Sequence, residues 1–143
     1  MDAPRPKVGV GAFVLKGGKL LLGKRLSKDN HGDGEYCGPG GHMEFGETLE
    51  ECAARETREE AGIEIQNIRF LCLSNILVWK GKHYIDIGMI ADWKSGEPQV
   101  LEPEVRENWG WYDFENLPSP LFGNEAAYIE AYKTGKHYFG TIK

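Results

Sequence analysis

The sequence predicts an α+β domain in which helices are layered on a sheet, an α/β/α order, and three observations carry the prediction. Two pairs of apolar, β-rich runs meet at glycine-containing turns. One segment between the pairs has both a helix start and a helix stop signal, and a second helical run follows the last strand. With 143 residues, 41% of them apolar, the chain is long enough for a single core, so residues 1–143 are read as one domain.

Val8–Leu15 and Lys19–Lys24 flank Lys16-Gly17-Gly18, where paired glycines supply the positive φ angles of a tight turn, and are read as a hairpin. Arg25–Gly38 is polar and glycine-rich, a surface loop. Gly38-Pro39-Gly40-Gly41 can approach a ligand closely because three of its four residues lack a side chain. Thr48 with Glu51 fits the Ser/Thr-x-x-Glu capping box, and Gly62 suits the left-handed stop, which gives a helix over about residues 48–61. Ile68–Trp79 and His83–Trp93, around Lys80-Gly81-Lys82, form a second hairpin. Lys94–Asn108 reads as a charged loop, Trp109–Asp113 as a short strand and Asn124–Lys133 as a closing helix.

Charge and composition exclude several functions. The net charge is −5, and no Lys/Arg run has the density of a polyanion-binding strip, so duplex nucleic acid is not an expected partner. A small anionic substrate would need a metal cation against that field. Cys37, Cys52 and Cys72 are odd in number and lack CxxC spacing, which favours free thiols in a reducing compartment. The N-terminal stretch MDAPRPKVGV has no secretory core, and no run of about 18 apolar residues occurs, so a cytoplasmic protein with no membrane partner is expected.

The predicted helix holds the chemical anomaly. Counting from Leu49, Cys52 and Ala53 begin an ordinary inward stripe at i, i+3 and i+4, and the stripe continues with Glu56, Glu59 and Glu60 where core residues would be expected. Carboxylates crowded on an inward face repel one another and lose hydration unless a cation compensates. Magnesium would do so, because it prefers carboxylate oxygens and bridges to phosphate. The opposite face carries Glu51, Arg55 and Arg58, where Glu51 can pair with Arg55 in solvent.

Gly41, Glu47, Arg55-Glu56, Glu59-Glu60 and Gly62, followed by the apolar Ile63, reproduce the spacing of the Nudix box of MutT-like hydrolases. Seven identities at these positions would arise by chance on the order of 10⁻⁸ per start point. Thr57 departs from the pattern, which usually has a large apolar residue there. It is placed on the edge of the inward face, with slightly looser packing and unchanged metal chemistry expected. Gly38–Glu47 and Trp109–Asp113, with Leu117-Pro118, resemble eukaryotic-type MutT homologues and plant cytosolic Nudix enzymes that sanitise nucleoside triphosphates.

The resemblance implies a Nudix fold, an α/β/α sandwich on a mixed central sheet with a loop-helix-loop catalytic motif. It implies Glu56, Glu59 and Glu60 as metal ligands, completed by the Gly40 carbonyl, with magnesium bound and manganese able to substitute. It also implies Glu47 and Arg55 as the ion pair bracing loop against helix. Glu56, Glu59 or Glu104, from the Leu101-Glu102-Pro103-Glu104 loop, is the candidate general base. Gly41, His42 and Arg25 are candidate substrate contacts, Arg25 for a phosphate oxygen. Among Trp79, Tyr84, Trp109, Trp111 and Phe122, Phe122 is the preferred stacking partner for a base. The leading activity is hydrolysis of a nucleoside triphosphate, oxidised or non-standard, to a monophosphate and pyrophosphate. A hydrolase of dinucleotide-type diphosphates such as ADP-ribose or NADH is the alternative, and a catalytically silent nucleotide sensor a distant one. A homodimer is compatible with the resemblance.

Overall fold

A computed structural model of the chain describes residues 3–143; Met1 and Asp2, the start of the stretch read as lacking a secretory signal, lie outside the described residues. In chain order the elements are β1 (Lys7–Lys16), β2 (Lys19–Lys24), β3 (Tyr36–Cys37), β4 (Gly40–His42), α1 (Leu49–Ala61), β5 (Glu64–Ile76), β6 (Tyr84–Ser95), β7 (Gly110–Tyr112), α2 (Gly123–Thr134) and β8 (Tyr138–Ile142). Among the described residues the eight strands form one mixed sheet in the order β3-β2-β1-β6-β5-β8, with β4 also pairing β1 and β7 pairing β2. The contacts β1–β6 and β5–β8 are parallel and the other pairings antiparallel.

Alternation along the strands sorts side chains onto the two faces. Val10, Ala12 and Val14 of β1 and Ile87, Met89 and Ala91 of β6 face α1 and pack with Cys52, Ala53 and Ala61. Phe13 and Ile90 face the other way and join Leu20, Leu22, Cys72, Tyr128, Ile129 and Ala131, all of them buried, under α2. Full burial of such a side chain contributes roughly 1.5–3 kcal/mol before the entropy of ordering is subtracted. In the parallel β1–β6 register Gly11 lies beside Gly88, and the Tyr128 ring fills the gap above them: a methyl on Gly88 would stand 2.8 Å from that ring.

Both hairpins form, the second with its strands ending three residues before Trp79 and starting one after His83. The Arg25–Gly38 segment read as a loop contains β3, and the glycine segment runs into β4; short strands of this kind are recruited by partners far away in sequence. Helix α1 has the expected caps. The Glu51 N–H donates to Thr48 Oγ1, the Thr48 N–H donates to the Glu51 carboxylate, and Gly62 closes the helix at φ 71°. Glu51 is therefore engaged in the cap, not in an ion pair with Arg55.

Two residues of α1 exchange the places assigned to them. Thr57 is fully buried, its hydroxyl donating to the Ala53 carbonyl at 2.7 Å, so it belongs to the core and not to its edge. Glu59 instead points outward, with about half of its side chain exposed (52%). The three cysteines are free and buried. Among the described residues no helix is long and apolar enough to cross a membrane.

Candidate active site

A cleft of about 740 Å³ opens where the glycine segment, the N-terminal end of α2, the β2–β3 loop and the loop before β7 meet. One end is acidic. Glu56 and Glu60 reach it from α1, and Glu102 and Glu104 from the loop. A methyl group on Gly41 would overlap the Glu56 carboxylate and force it to shift.

Glu60 is held on both oxygens. Oε1 accepts from the Gly40 N–H at 2.7 Å and Oε2 from Arg106 Nη2 at 2.9 Å. Arg106 is buried and is the hub of this wall, donating also to the carbonyls of Gly23, Cys37 and Gly38. The Trp109 indole N–H donates to the Glu60 carbonyl, and its ring lies 4.4 Å from the Arg106 guanidinium, so Trp109 supports the acidic end from behind. Trp111 packs toward α1 with Lys16 over its ring. Neither tryptophan lines the cleft, which removes both from the proposed stacking wall.

Arg55 sits outside the cleft and gathers the loop onto the helix. Its Nε and Nη2 donate to the two Glu47 oxygens at 2.6 and 3.1 Å, Nη2 also donates to the His42 carbonyl, and Nη1 reaches Glu56 at 2.8 Å and Glu59 at 3.2 Å. The Arg55 hydrogen bond holds the Glu47 carboxyl down at about 2. Glu56 behaves oppositely: burial, then the charges of Glu60 and Glu59, push its carboxyl above the ordinary range despite Arg55. Glu102 is raised in the same sense by burial and by Glu60, Glu104 and Glu59.

Carboxylates crowded so that neighbouring charges help raise Glu56 and Glu102 are suited to a divalent cation, which would relieve the repulsion. Among the described residues no group of three or more carboxylate, imidazole or thiol side chains is placed to hold a metal ion as it stands, and the carboxylates of the cleft form an open set. An open set of this kind fits magnesium, which retains several waters and takes few protein ligands. The residues positioned to contribute are Glu56, Glu60, Glu102 and Glu104 with the backbone at Gly40, while Glu59 could reach only from the rim.

The opposite end of the cleft is aromatic. Trp79 and Phe122 stack at 5.7 Å with an 11° interplanar angle, His31 stacks on Trp79 at 3.9 Å, and Tyr84 meets Trp79 edge-on. His42 lies 5.6 Å from the Tyr84 ring. Arg25 stacks over Phe122 at 4.3 Å and donates to the His31 carbonyl, so one of its roles is to fix this loop. Its Nε is buried without a partner.

The floor between the two ends consists of buried acids. Tyr128 donates to Asp86 at 2.5 Å, and Glu125 accepts from the Gly38 N–H at 2.8 Å while its Oε2 has no partner. Burial pushes the Asp86 carboxyl up to about 6 and that of Glu125 to about 8, which favours the protonated form of Glu125 at pH 7.

Sequence reasoning did not single out Arg106, Glu102, His31, Asp86, Glu125 or Tyr128. A signal existed for Asp86, a carboxylate inside the apolar run of β6 on the same side as Gly88 and Ile90. None existed for Arg106, whose four partners come from three separate parts of the chain.

A family model described as NUDIX domain matches residues 5–133. A Chromobacterium violaceum protein named NAD-capped RNA hydrolase NudC is 34% identical over 115 residues, which are 80% of this chain and 41% of that protein. A Pasteurella multocida protein of the same name is 36% identical over 107 residues, 75% of this chain and 38% of that one. The chain thus spans about two fifths of the length of these curated relatives. A solved structure titled MutT NUDIX hydrolase, from Burkholderia pseudomallei, superposes with a TM-score of 0.81 at 33% identity, covering 90% of this chain and 98% of that one.

Proposed function

The chain belongs to the Nudix hydrolase family, and we propose that within it the protein cleaves the phosphoanhydride of a dinucleotide-type diphosphate, of the NADH or ADP-ribose class. The observation that carries this reading is the pairing, in one cleft, of an acidic oxygen-rich end with an aromatic end across a floor of buried acids. Such a cleft takes a diphosphate at one end and a nucleobase at the other. The relatives named for NAD-capped RNA support the dinucleotide class over the nucleoside triphosphates favoured from sequence alone, and the order of those two readings is reversed accordingly.

Magnesium bound at the acidic end would neutralise charge on the diphosphate and lower the pKa of a water for in-line attack on phosphorus. The protein's own groups do the positioning. Arg106 and the Gly40 N–H fix Glu60, and Arg55 fixes Glu56 and ties Glu47 to the helix. Gly41 lets the backbone pass close to the Glu56 carboxylate. Glu56 and Glu104 are the candidate general bases facing the cleft; Glu59 is set back from it. Trp79 and Tyr84, with the buried Phe122 ring behind them, form the aromatic wall for the base.

The test is turnover of NADH, ADP-ribose, dGTP, 8-oxo-dGTP and dCTP with magnesium, resolved by chromatography, with Glu60→Gln and a chelator as controls. AMP together with nicotinamide mononucleotide or a sugar phosphate, absent from both controls, is the expected outcome. Pyrophosphate from the triphosphates alone would return the sequence reading to first place, and no turnover of any compound would favour the sensor.

A further inference from the structure

The charge of the cleft changes sign along its length. Beyond the aromatic end lies a second hollow of about 360 Å³, lined by Pro4, Arg5, Pro6, Leu77, Trp79, Lys80, Gly81, Lys82 and His83. Trp79 lines both this hollow and the cleft, so the two adjoin at its ring. The hollow is held together by the Lys7 N–H, which donates to the His83 carbonyl at 3.0 Å and ties the start of β1 to the β5–β6 turn. Lys28 stands on the adjoining cleft wall and Lys7 beside the hollow.

Among the described residues, Arg5, Lys7, Lys28 and Lys80 have no carboxylate within 4 Å, and Lys82 has one, Asp29 at 3.5 Å. Three of these cations, Arg5, Lys80 and Lys82, line the hollow, and Lys82 also meets His31 Nδ1 at 3.1 Å; Lys28 stands on the adjoining cleft and Lys7 at the start of β1, on a chain of net charge −5. They come from three sequence segments, which is why no basic run was legible. Their field reaches the cleft: Lys82 and Arg25, after burial, hold the His31 imidazole below its ordinary range, and Lys7 does the same to His42.

A nucleoside diphosphate with its base on Trp79 and Phe122 places its anhydride at the acidic end. NADH, ADP-ribose and simple triphosphates carry nothing anionic on the far side of that nucleoside. We propose that the hollow is a phosphate subsite for a nucleotide whose stacked nucleoside bears a further phosphate on its ribose. Two sources share this chemistry: a mononucleotide with a 3′-phosphate, and the first internucleotide phosphate of a single strand. The proposal rests on reading the cleft as a nucleoside-diphosphate site.

Calorimetry with magnesium and three product-like probes tests it: AMP, adenosine 3′,5′-bisphosphate and a 5′-phosphorylated tetra-adenylate. The bisphosphate is expected to bind tighter than AMP, and its advantage to shrink about 2.5-fold per phosphate contacted between about 50 and about 200 mM salt. Arg5→Ala with Lys80→Ala, both exposed side chains that line only the hollow, should erase the advantage while leaving AMP affinity and NADH turnover intact. A tetra-adenylate bound no tighter than the bisphosphate identifies the mononucleotide source; tighter binding with a steeper salt dependence identifies the strand. Equal affinity of the wild-type protein for AMP and the bisphosphate overturns the proposal, as does an advantage that survives in the double variant. Loss of NADH turnover in the wild type alone, with the bisphosphate advantage kept, overturns the diphosphatase reading and leaves the subsite standing.

Discussion

Glu125→Gln should flatten the dependence of stability on pH. The groups facing this carboxyl are the Gly38 N–H, the Arg106 guanidinium and the Asp86 carboxyl, and burial outweighs all three, taking it from 4.5 to about 8. A folded-state pKa above the unfolded value means that the native protein keeps a proton which the unfolded chain releases, so stability falls as pH rises from 4.5 to about 8. At about 1.4 kcal/mol per pH unit the ceiling on that loss is about 5 kcal/mol. An effective interior dielectric near 20 reduces the expectation to roughly 2 kcal/mol. For a chain of this size that is a drop of roughly 5–8 °C in Tm. Glutamine keeps the acceptor for Gly38 and cannot ionise. Thermal unfolding followed from about pH 5 to about pH 9 should therefore show a steeper decline for the wild type than for Glu125→Gln. The shallower fall due to Asp86, with its carboxyl at about 6, should remain in both proteins. Parallel Tm curves would refute the assignment of a neutral acid to the cleft floor.

Arg106→Met would leave the Glu60 carboxylate buried without its cation and should cost about 3–5 kcal/mol, measured by denaturant unfolding; a loss below about 1 kcal/mol would mean the pair is not the hub described. Gly41→Ala displaces the Glu56 carboxylate and should lower kcat for NADH by about 100-fold with the fold retained by circular dichroism; unchanged turnover would show that the carboxylate has room to move. Thr48→Ala removes the side-chain half of the α1 capping box and should cost about 1 kcal/mol of unfolding free energy without changing KM.

Local signals explain what the sequence revealed. The caps of α1 and the Lys16-Gly17-Gly18 and Lys80-Gly81-Lys82 turns are each specified within a few neighbouring residues, and all of them formed. The inward stripe of α1 was legible only as a direction. Measured from Leu49, Glu56 and Glu60 lie within about 20° of its centre, whereas Thr57 and Glu59 lie about 80° to either side. A wheel gives those two equal standing. Which one is buried depends on where the sheet lies, and the sheet takes Thr57. The same reasoning covers β3 and β4, which exist because β2 and β1 offer them partners, and the Arg106 hub, which exists only once four parts of the chain have met. Among the five candidate stacking aromatics, Phe122, Trp79 and Tyr84 line the cleft and Trp109 and Trp111 do not, because composition does not distinguish a ring lining a cleft from a ring backing a wall.

Gly11 and Gly88, side by side in the parallel pair, make a keyway across the sheet, and Tyr128 is the key that sets the azimuth of α2. With its hydroxyl anchored on Asp86, the helix can neither roll nor slide without withdrawing the ring. The aromatic end of the cleft therefore has a fixed depth, and its shape is open to change through lining side chains such as Phe122 and Asn124, with the helix itself staying in place.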